Sequence, residues 1–369
     1  MLQFHDQESK QTMKIPLHLK IRRNFNSLFN SLLAKIFPPK AQTELLDIKN
    51  IKTIALIRPN YRIGNIIFLT PLINEIHEQN PDIKIDLFIG SQSVGKVVQP
   101  MPNVDQIIDI SRKLLINPIK LFHFIKNARA KKYDLCINIS SRSLSSQIVT
   151  LFINSKYTLS FEDEKSWVPI THKVPHRWLF SHASLQPLEI LDGFGISNYK
   201  HPLELDIKLT QEEIKTGEQT LQTLLQNNNV TDTQKIIAIF RNARFDKKIE
   251  DIWWEHLIAQ MKQLKSNITV IDILSPDIPT KLNDDVIEYS NKNLRELGAF
   301  FRACNAYISA DTGPLHLAAA SQATSIGLFN HTIIAAYGTL GEHNLNIDIN
   351  DFSLEEIAQQ IIKHIYPES

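Results

Sequence analysis

The residues best suited to chemistry stand together in ISADTGPLHLAAA, residues 308–320. The apolar run ends at Ala310, which places Asp311 at the carboxyl end of a strand. Thr312 and Gly313 then open a helix, with Pro314 at a first-turn position where a missing N–H costs nothing. Free amides at a helix start, aided by the helix dipole, hold phosphate. Gly313 lets a ligand approach the backbone, and His316, three residues on, lies on the same face. That imidazole can reach a phosphate or a sugar hydroxyl, and Asp311 can accept from hydroxyls. The plain alternative is a capping aspartate beside a histidine satisfied within the fold.

A second cluster is FRNARFDKKIEDIWW, residues 240–254, where Arg241, Arg244, Lys247 and Lys248 crowd one loop offset only by Asp246. A cationic loop at a strand's carboxyl end suits a diphosphate; otherwise it is a solvated charge run. A third stretch, RPNYRIGNIIFLTPLINEI at 58–76, reads as a strand end, a tight turn at Gly64 and a helix. It holds Arg62 and Asn65. Closely spaced glycines after the first strand are missing, as is GxxxxGK[ST], so dinucleotide and P-loop readings are weak. His172, His176 and His182 fall in one stretch, but Pro175 disfavours a helix there and no Cys or acid completes a ligand set, so no metal is expected. Trp253 and Trp254 begin a helix with an apolar stripe and read as core.

These groups need elements to position them. Apolar runs at 52–57, 83–90, 133–140 and 156–161 read as strands with helices between them, which predicts a parallel sheet covered on both faces. The polar stretch 225–235 reads as a helix end and an interdomain linker. The alternation then restarts, with strands at 235–240, 268–274, 306–310 and 323–329 and helices at 251–265, 293–304 and 313–321. Ser353 and Glu356, in capping-box spacing, start a C-terminal helix. No internal repeat is visible. The economical architecture is α/β, two doubly wound Rossmann-like domains facing a cleft, with ligands beyond the strands' carboxyl ends. The expected division is a basic amphipathic segment at 1–50, one domain at 51–205, a second at 206–350 and a terminal helix at 351–369.

Composition narrows the classes. The chain has 369 residues, is 43% hydrophobic and 21% charged, and carries a formal net charge of +1. That balance argues against nucleic acid as a main partner. No apolar run reaches the roughly 18 residues of a membrane span. A secretory leader is not evident, and Cys136 and Cys304 read as buried hydrophobes of a reducing compartment, so the expected location is cytoplasmic. Residues 14–40 hold Lys14, Lys20, Arg22, Arg23, Lys35 and Lys40 with no acidic residue. They read either as a foothold on an anionic membrane surface or as a helix packed on the domain's flank.

The sequence DTGPLHLAAA, between its two apolar runs, resembles the donor-site signature of glycosyltransferase family 9, the ADP-heptose:lipopolysaccharide heptosyltransferases. IALIRPNYRIGNIIFLTPLINEIHEQNPDIKIDLFIG is similar to the same family's opening unit. The resemblance covers about residues 52–349. It implies a GT-B fold and inverting transfer from a nucleotide-diphospho-sugar onto a lipid-linked lipopolysaccharide core acceptor; the cationic loop and helix start can neutralise the leaving diphosphate, so no metal is needed. That acceptor would lie at the inner face of the inner membrane. No cofactor is implied. By position, Asp311, Thr312, Gly313 and His316 would hold the donor with one of Lys247 or Lys248, and Arg62 and Asn65 would stand at the catalytic turn; Arg241 and Arg244 join the donor side on the cationic loop's own reading. Two departures matter. The family's usual His-Pro-Gly-Ala is Phe240–Ala243 here, reading FRNA, and its presumed general base, a carboxylate, is matched by Asn65. A positioned base contributes about 10² to 10⁴-fold, and an amide cannot take a proton. Asn65 could orient the acceptor hydroxyl or cap the helix while Asp82, Asp86 or a phosphate oxygen served instead. A non-catalytic sugar-nucleotide or glycan-binding relative is the alternative.

Overall fold

The structure is a computed structural model describing residues 42, 44–111, 114, 116–164, 166–230 and 234–367. The expected basic segment at 14–40 lies outside the described residues. Twelve strands form two six-stranded sheets among the described residues. The first comprises β1 (Thr53–Arg58), β2 (Lys84–Ile89), β3 (Val104–Asp109), β4 (Lys132–Asn138), β5 (Asn154–Phe161) and β6 (His172–Val174), in the order β3-β2-β1-β4-β5-β6. The second comprises β7 (Lys235–Phe240), β8 (Ile268–Ile273), β9 (Ile287–Tyr289), β10 (Ala306–Ala310), β11 (Ser325–Phe329) and β12 (Leu345–Asp348), in the order β12-β11-β10-β7-β8-β9. Every strand pair is parallel. The two orders are the same permutation, so the halves repeat a topology that no sequence similarity betrays. The GT-B-like fold expected from the sequence is the fold observed.

Central strands such as β1 and β10 are buried on both faces, which is why they read as unbroken apolar runs. Strands β3, β6, β9 and β12 were not evident from sequence. They are the sheet edges, and β3 (VDQIID) and β9 (IEY) leave most of their residues half-buried or exposed.

The helices are α1 (Ile63–Ile67), α2 (Thr70–Gln79), α3 (Gln92–Gly95), α4 (Pro118–Ala130), α5 (Leu144–Phe152), α6 (Gln211–Asn227), α7 (Asp251–Leu264), α8 (Leu294–Ala303), α9 (Gly313–Ala320), α10 (Ile334–Tyr337) and α11 (Leu354–Ile365). Capping follows sequence: Thr210 with Glu213 and Ser353 with Glu356 form capping boxes on α6 and α11. Helix α11 packs through Ile357, Ile361 and Ile365 into the cluster holding Trp254, Leu257 and Met261 of α7. Cys136 and Cys304 are free, buried thiols, and burial pushes Cys136 up to about 12.

The polar stretch at 225–235 is not the crossing between the halves. It ends α6 and leads to β7, and α6 packs on α8 so tightly that a Cβ at Gly217 would stand 2.5 Å from the Ala299 backbone. The chain crosses earlier. One face of α2 holds the crossing segment: Glu75 accepts from the amides of Lys200 and His201, Asn74 donates to the Asp206 carbonyl, and Thr70 Oγ1 accepts from the Asp206 amide. From the other half, Gln322 donates to the Leu205 carbonyl and Arg295 to the carbonyls of Ile207 and Lys208. Arg295 also bonds the Val97 carbonyl of the first half and pairs with Glu213 of α6. A single core runs on from Ile54, Leu56 and Leu69 through Leu205 and Ile207 to Phe300 and Leu315.

Truncating Arg295 strands several buried carbonyls and the Glu213 carboxylate. Arg295→Ala is expected to destabilise by about 3–5 kcal/mol, read as a lowered midpoint in urea unfolding.

Candidate active site

The carboxyl ends of β1 and β10 meet across the cleft through two helix starts. Thr312 caps α9, its hydroxyl accepting from the Leu315 amide, with Pro314 in the first turn. The capping residue is therefore Thr312, which leaves Asp311 free for other partners. Asp311 is 7% exposed. Its Oδ1 lies 3.2 Å from His316 Nε2, and its Oδ2 accepts from Lys247. Burial would raise this carboxyl, but the hydrogen bonds from His316 and Lys247 outweigh it and bring it to about 2. Asp311 is thus a fixed anion at working pH, and it selects Lys247, not Lys248, as its cation. Lys247 ends the short 3-10 turn Phe245–Lys247, which Arg244 and Lys248 flank, both exposed.

Arg241 does not join this group. It is 3% exposed, and its guanidinium is spent within the fold: Nε and Nη2 bond Asp272, Nη2 also bonds the Thr280 carbonyl, and Nη1 pairs with Asp251. Burial opposes its charge, but Asp272 and Asp251 overcome that and raise its pKa. It braces the loop rather than offering a charge to a diphosphate.

From the first half comes α1. Gly64 is not a tight turn; it is the second residue of α1, and the turn lies at Pro59–Arg62, where Asn60 Oδ1 accepts from the Arg62 amide. Gly64 is needed for approach: a Cβ there would stand 3.0 Å from His316 Cδ2. At Gly313 a Cβ would stand 2.0 Å from Ile63 Cγ2. Asn65, inside α1, is half-buried, and its side chain has no hydrogen-bond partner among the described residues. It therefore does not cap the helix. Arg62 is exposed beside it. The acids considered as substitutes stand elsewhere. Asp86 lies within β2, bonded to Lys131 at 2.7 Å and Tyr133 at 2.6 Å. Asp82 precedes β2, at the end of the strand opposite the cleft.

Three residues of this site were not singled out as its members by sequence reasoning. Phe68 packs its ring edge-on against His316, centroids 4.6 Å apart, and 5.7 Å from His182. His182 crosses the cleft: Nε2 lies 2.7 Å from the Gly338 carbonyl, and Nδ1 accepts from the Ser184 amide at 3.2 Å. Burial first, then the neighbouring His316, lowers its pKa to about 4. Arg58, ending β1, is crowded enough that burial lowers its pKa, and no carboxylate pairs with it among the described residues. Of the other histidines, His172 lies in β6 against Tyr157 and His176 contacts Glu189. Among the described residues no three His, Cys, Asp or Glu side chains cluster as a metal site would require.

Two outcomes follow from this geometry. Gly313→Ala should destabilise through collision with Ile63, and Ile63→Ala added to it should recover part of the loss, with a coupling of about 0.5–3 kcal/mol in a double-mutant cycle of urea unfolding. For His182, the folded value lies below the ordinary 6.5. The unfolded chain then takes up a proton that the native state refuses, so this contribution is complete above about pH 6.5 and is lost as pH falls toward 4. His182→Gln keeps a donor for Gly338 but does not titrate, so its melting temperature should fall less than that of the unmodified protein between pH 7.5 and 5.

The family model described as glycosyltransferase family 9 (heptosyltransferase) matches residues 121–360. Lipopolysaccharide heptosyltransferase 3 of Escherichia coli is 22% identical over 287 residues, 73% of this chain and 81% of that protein. Lipopolysaccharide core heptosyltransferase OpsX of Haemophilus influenzae is 21% identical over 301 residues, 75% of this chain and 79% of that protein. Among solved structures, the family 9 glycosyl transferase of Veillonella parvula is similar with a TM-score of 0.71 at 18% identity, covering 88% of this chain and 99% of that one. E. coli heptosyltransferase WaaC with ADP has a TM-score of 0.65 at 16% identity, covering 85% and 99%. At such identities the structures show a common fold, two facing α/β halves, while the family model spans well over half of the sequence. This protein belongs to glycosyltransferase family 9, the heptosyltransferases.

Proposed function

We propose that the protein is an inverting glycosyltransferase that takes its sugar from a nucleotide-diphospho-sugar, ADP-heptose by family likeness, and places it on a lipid-linked lipopolysaccharide core acceptor. The observation that carries this reading is the Lys247–Asp311–His316 group at the start of α9, packed against the start of α1 from the other half. In this reading residues 206–350 bind the donor and 51–205 face the acceptor. Asp311 and His316 hold sugar hydroxyls, and Lys247, Arg244, Lys248 and the α9 start take the diphosphate. These charges neutralise the leaving group without a metal. Arg58 and Arg62, cations at the first half's edge, suit an anionic acceptor.

The chemical step breaks the bond between the anomeric carbon and the diphosphate oxygen as the acceptor hydroxyl attacks from the opposite face. Asn65, unengaged among the described residues, accepts a hydrogen bond from that hydroxyl and orients it. With Asp86 committed to Lys131 and Tyr133, and Asp82 at the far strand end, the proton passes to a phosphate oxygen of donor or acceptor. Orientation alone retains much of an enzyme's rate advantage. The enzyme works at the inner membrane's cytoplasmic face, where a basic segment at 14–40 would meet anionic lipid.

Asp311→Asn should weaken ADP-heptose binding by about tenfold or more, roughly 1.4 kcal/mol, without changing the circular-dichroism spectrum; unchanged affinity by calorimetry rejects the donor site. Asn65→Ala should cut turnover and spare donor affinity, and Asn65→Asp should be tolerated. The absent carboxylate favours one rival, a binding relative without catalysis. It wins if the unmodified protein binds ADP-heptose and shows no turnover with a lipid-linked acceptor, while Asn65→Asp alone is active.

A further inference from the structure

Between β6 and His182 the chain builds a structure that the transfer reaction, as described so far, does not use. Glu189 is wholly buried, and its carboxylate gathers the backbone amides of Arg177 at 2.9 Å, Trp178 at 3.2 Å and Leu179 at 2.9 Å, together with His176 Nδ1 at 3.0 Å. Convergent amides around a buried anion make a rigid loop. The loop forces Trp178 to φ +55°, a backbone region that bulky residues rarely enter. The strain serves a definite arrangement. Phe161, at the end of β5, stacks on His176 with centroids 4.6 Å apart and planes 16° from parallel. His176 stacks in turn on Trp178 at 3.9 Å and 9°. The column rises from the sheet's carboxyl edge and ends in Trp178, a residue that is 62% exposed.

We infer that Trp178 is a platform for a pyranose ring of the saccharide acceptor. One face of the indole lies on His176, which leaves the other for a ligand. A flat, oriented aromatic face suits the apolar C–H face of a sugar, whose hydroxyls stay solvated at the rim. Arg177, half-exposed and braced by Asp192 at 3.2 Å, supplies a cation beside it for an anionic core sugar. Position agrees with this role. The loop follows the carboxyl end of β6, the edge at which such sheets bind ligands, and four residues later His182 ties it to Gly338 across the cleft. Leu179 is exposed next to Trp178, so a lipid surface is the competing occupant. A membrane-dipping tryptophan, however, has no need of a ring plane held by stacking, a buried carboxylate and a left-handed backbone.

The inference rests on the glycosyltransferase reading, and the experiment separates the two. The probes are ADP, a lipid-free heptose-containing core oligosaccharide and phosphatidylglycerol vesicles. Trp167 and Trp254 are buried and Trp253 half-buried, so quenching by acrylamide reports chiefly on Trp178. The oligosaccharide should protect the emission of the unmodified protein. By calorimetry Trp178→Ala should bind the oligosaccharide about tenfold more weakly, Trp178→Tyr should retain most of the affinity, and ADP should bind all three alike. Equal oligosaccharide binding by Trp178→Ala overturns the platform, as does protection by vesicles and not by oligosaccharide. If Trp178→Ala fails to fold, protection of the unmodified protein and the affinity of Trp178→Tyr decide the matter. Loss of ADP binding in the unmodified protein would instead strike the donor reading.

Discussion

Two helix starts, one from each half, touch with almost nothing between them, and the site exists because they do. At Gly313 the α-carbon faces the Ile63 methyl where any side chain would collide; at Gly64 a Cβ would press on the His316 ring at 3.0 Å. Helix starts are where backbone donors and positive potential collect. Bringing two of them together at the carboxyl ends of β1 and β10 concentrates polar groups in one cleft. Phe68 and His316 close the contact behind it with an edge-to-face pair.

That closeness depends on how the halves are held. A hinged pair of doubly wound units could approach at many angles, and here the crossing segment is bonded from both sides, by Thr70, Asn74 and Glu75 on α2 and by Gln322 and Arg295 from the second half. Arg295 is the most connected of these, since one planar guanidinium satisfies carbonyls from the first half and the crossing segment while pairing with Glu213 of the second. His182 adds a tie on the cleft side, as a neutral imidazole whose two nitrogens have opposite roles.

Charge is sorted by the same packing. Four basic residues within eight positions look alike in sequence, yet the fold gives them different work. Arg241 turns inward to Asp272 and Asp251, Lys247 turns to Asp311, and Arg244 and Lys248 remain in solvent. The difference is one of register at the end of β7: Arg241 directly follows a buried strand whose neighbour β8 carries Asp272. Asn65 shows the converse. It lies half-buried within α1 with no side-chain partner among the described residues, so its amide is left for whatever enters the cleft.

By itself the sequence determined the things that depend on neighbours along the chain. Apolar runs such as KTIALI and AYISA are continuous because both faces of a central parallel strand are buried, and Thr312, Pro314, Ser353 and Glu356 mark helix starts through local hydrogen bonds. Edge strands were illegible because short segments half-exposed to water carry no strong pattern, as in IEY of β9. The repeated strand order was equally hidden, since it belongs to backbone connectivity and not to side chains. Only the tertiary structure decided that the polar stretch after α6 is internal to the second half, which lysine meets Asp311, that Arg241 is structural, and that His182 and Phe68 join the site. Each of these is a contact between residues tens to hundreds of positions apart. Such contacts are set by how two packed layers meet, and no local periodicity encodes that meeting.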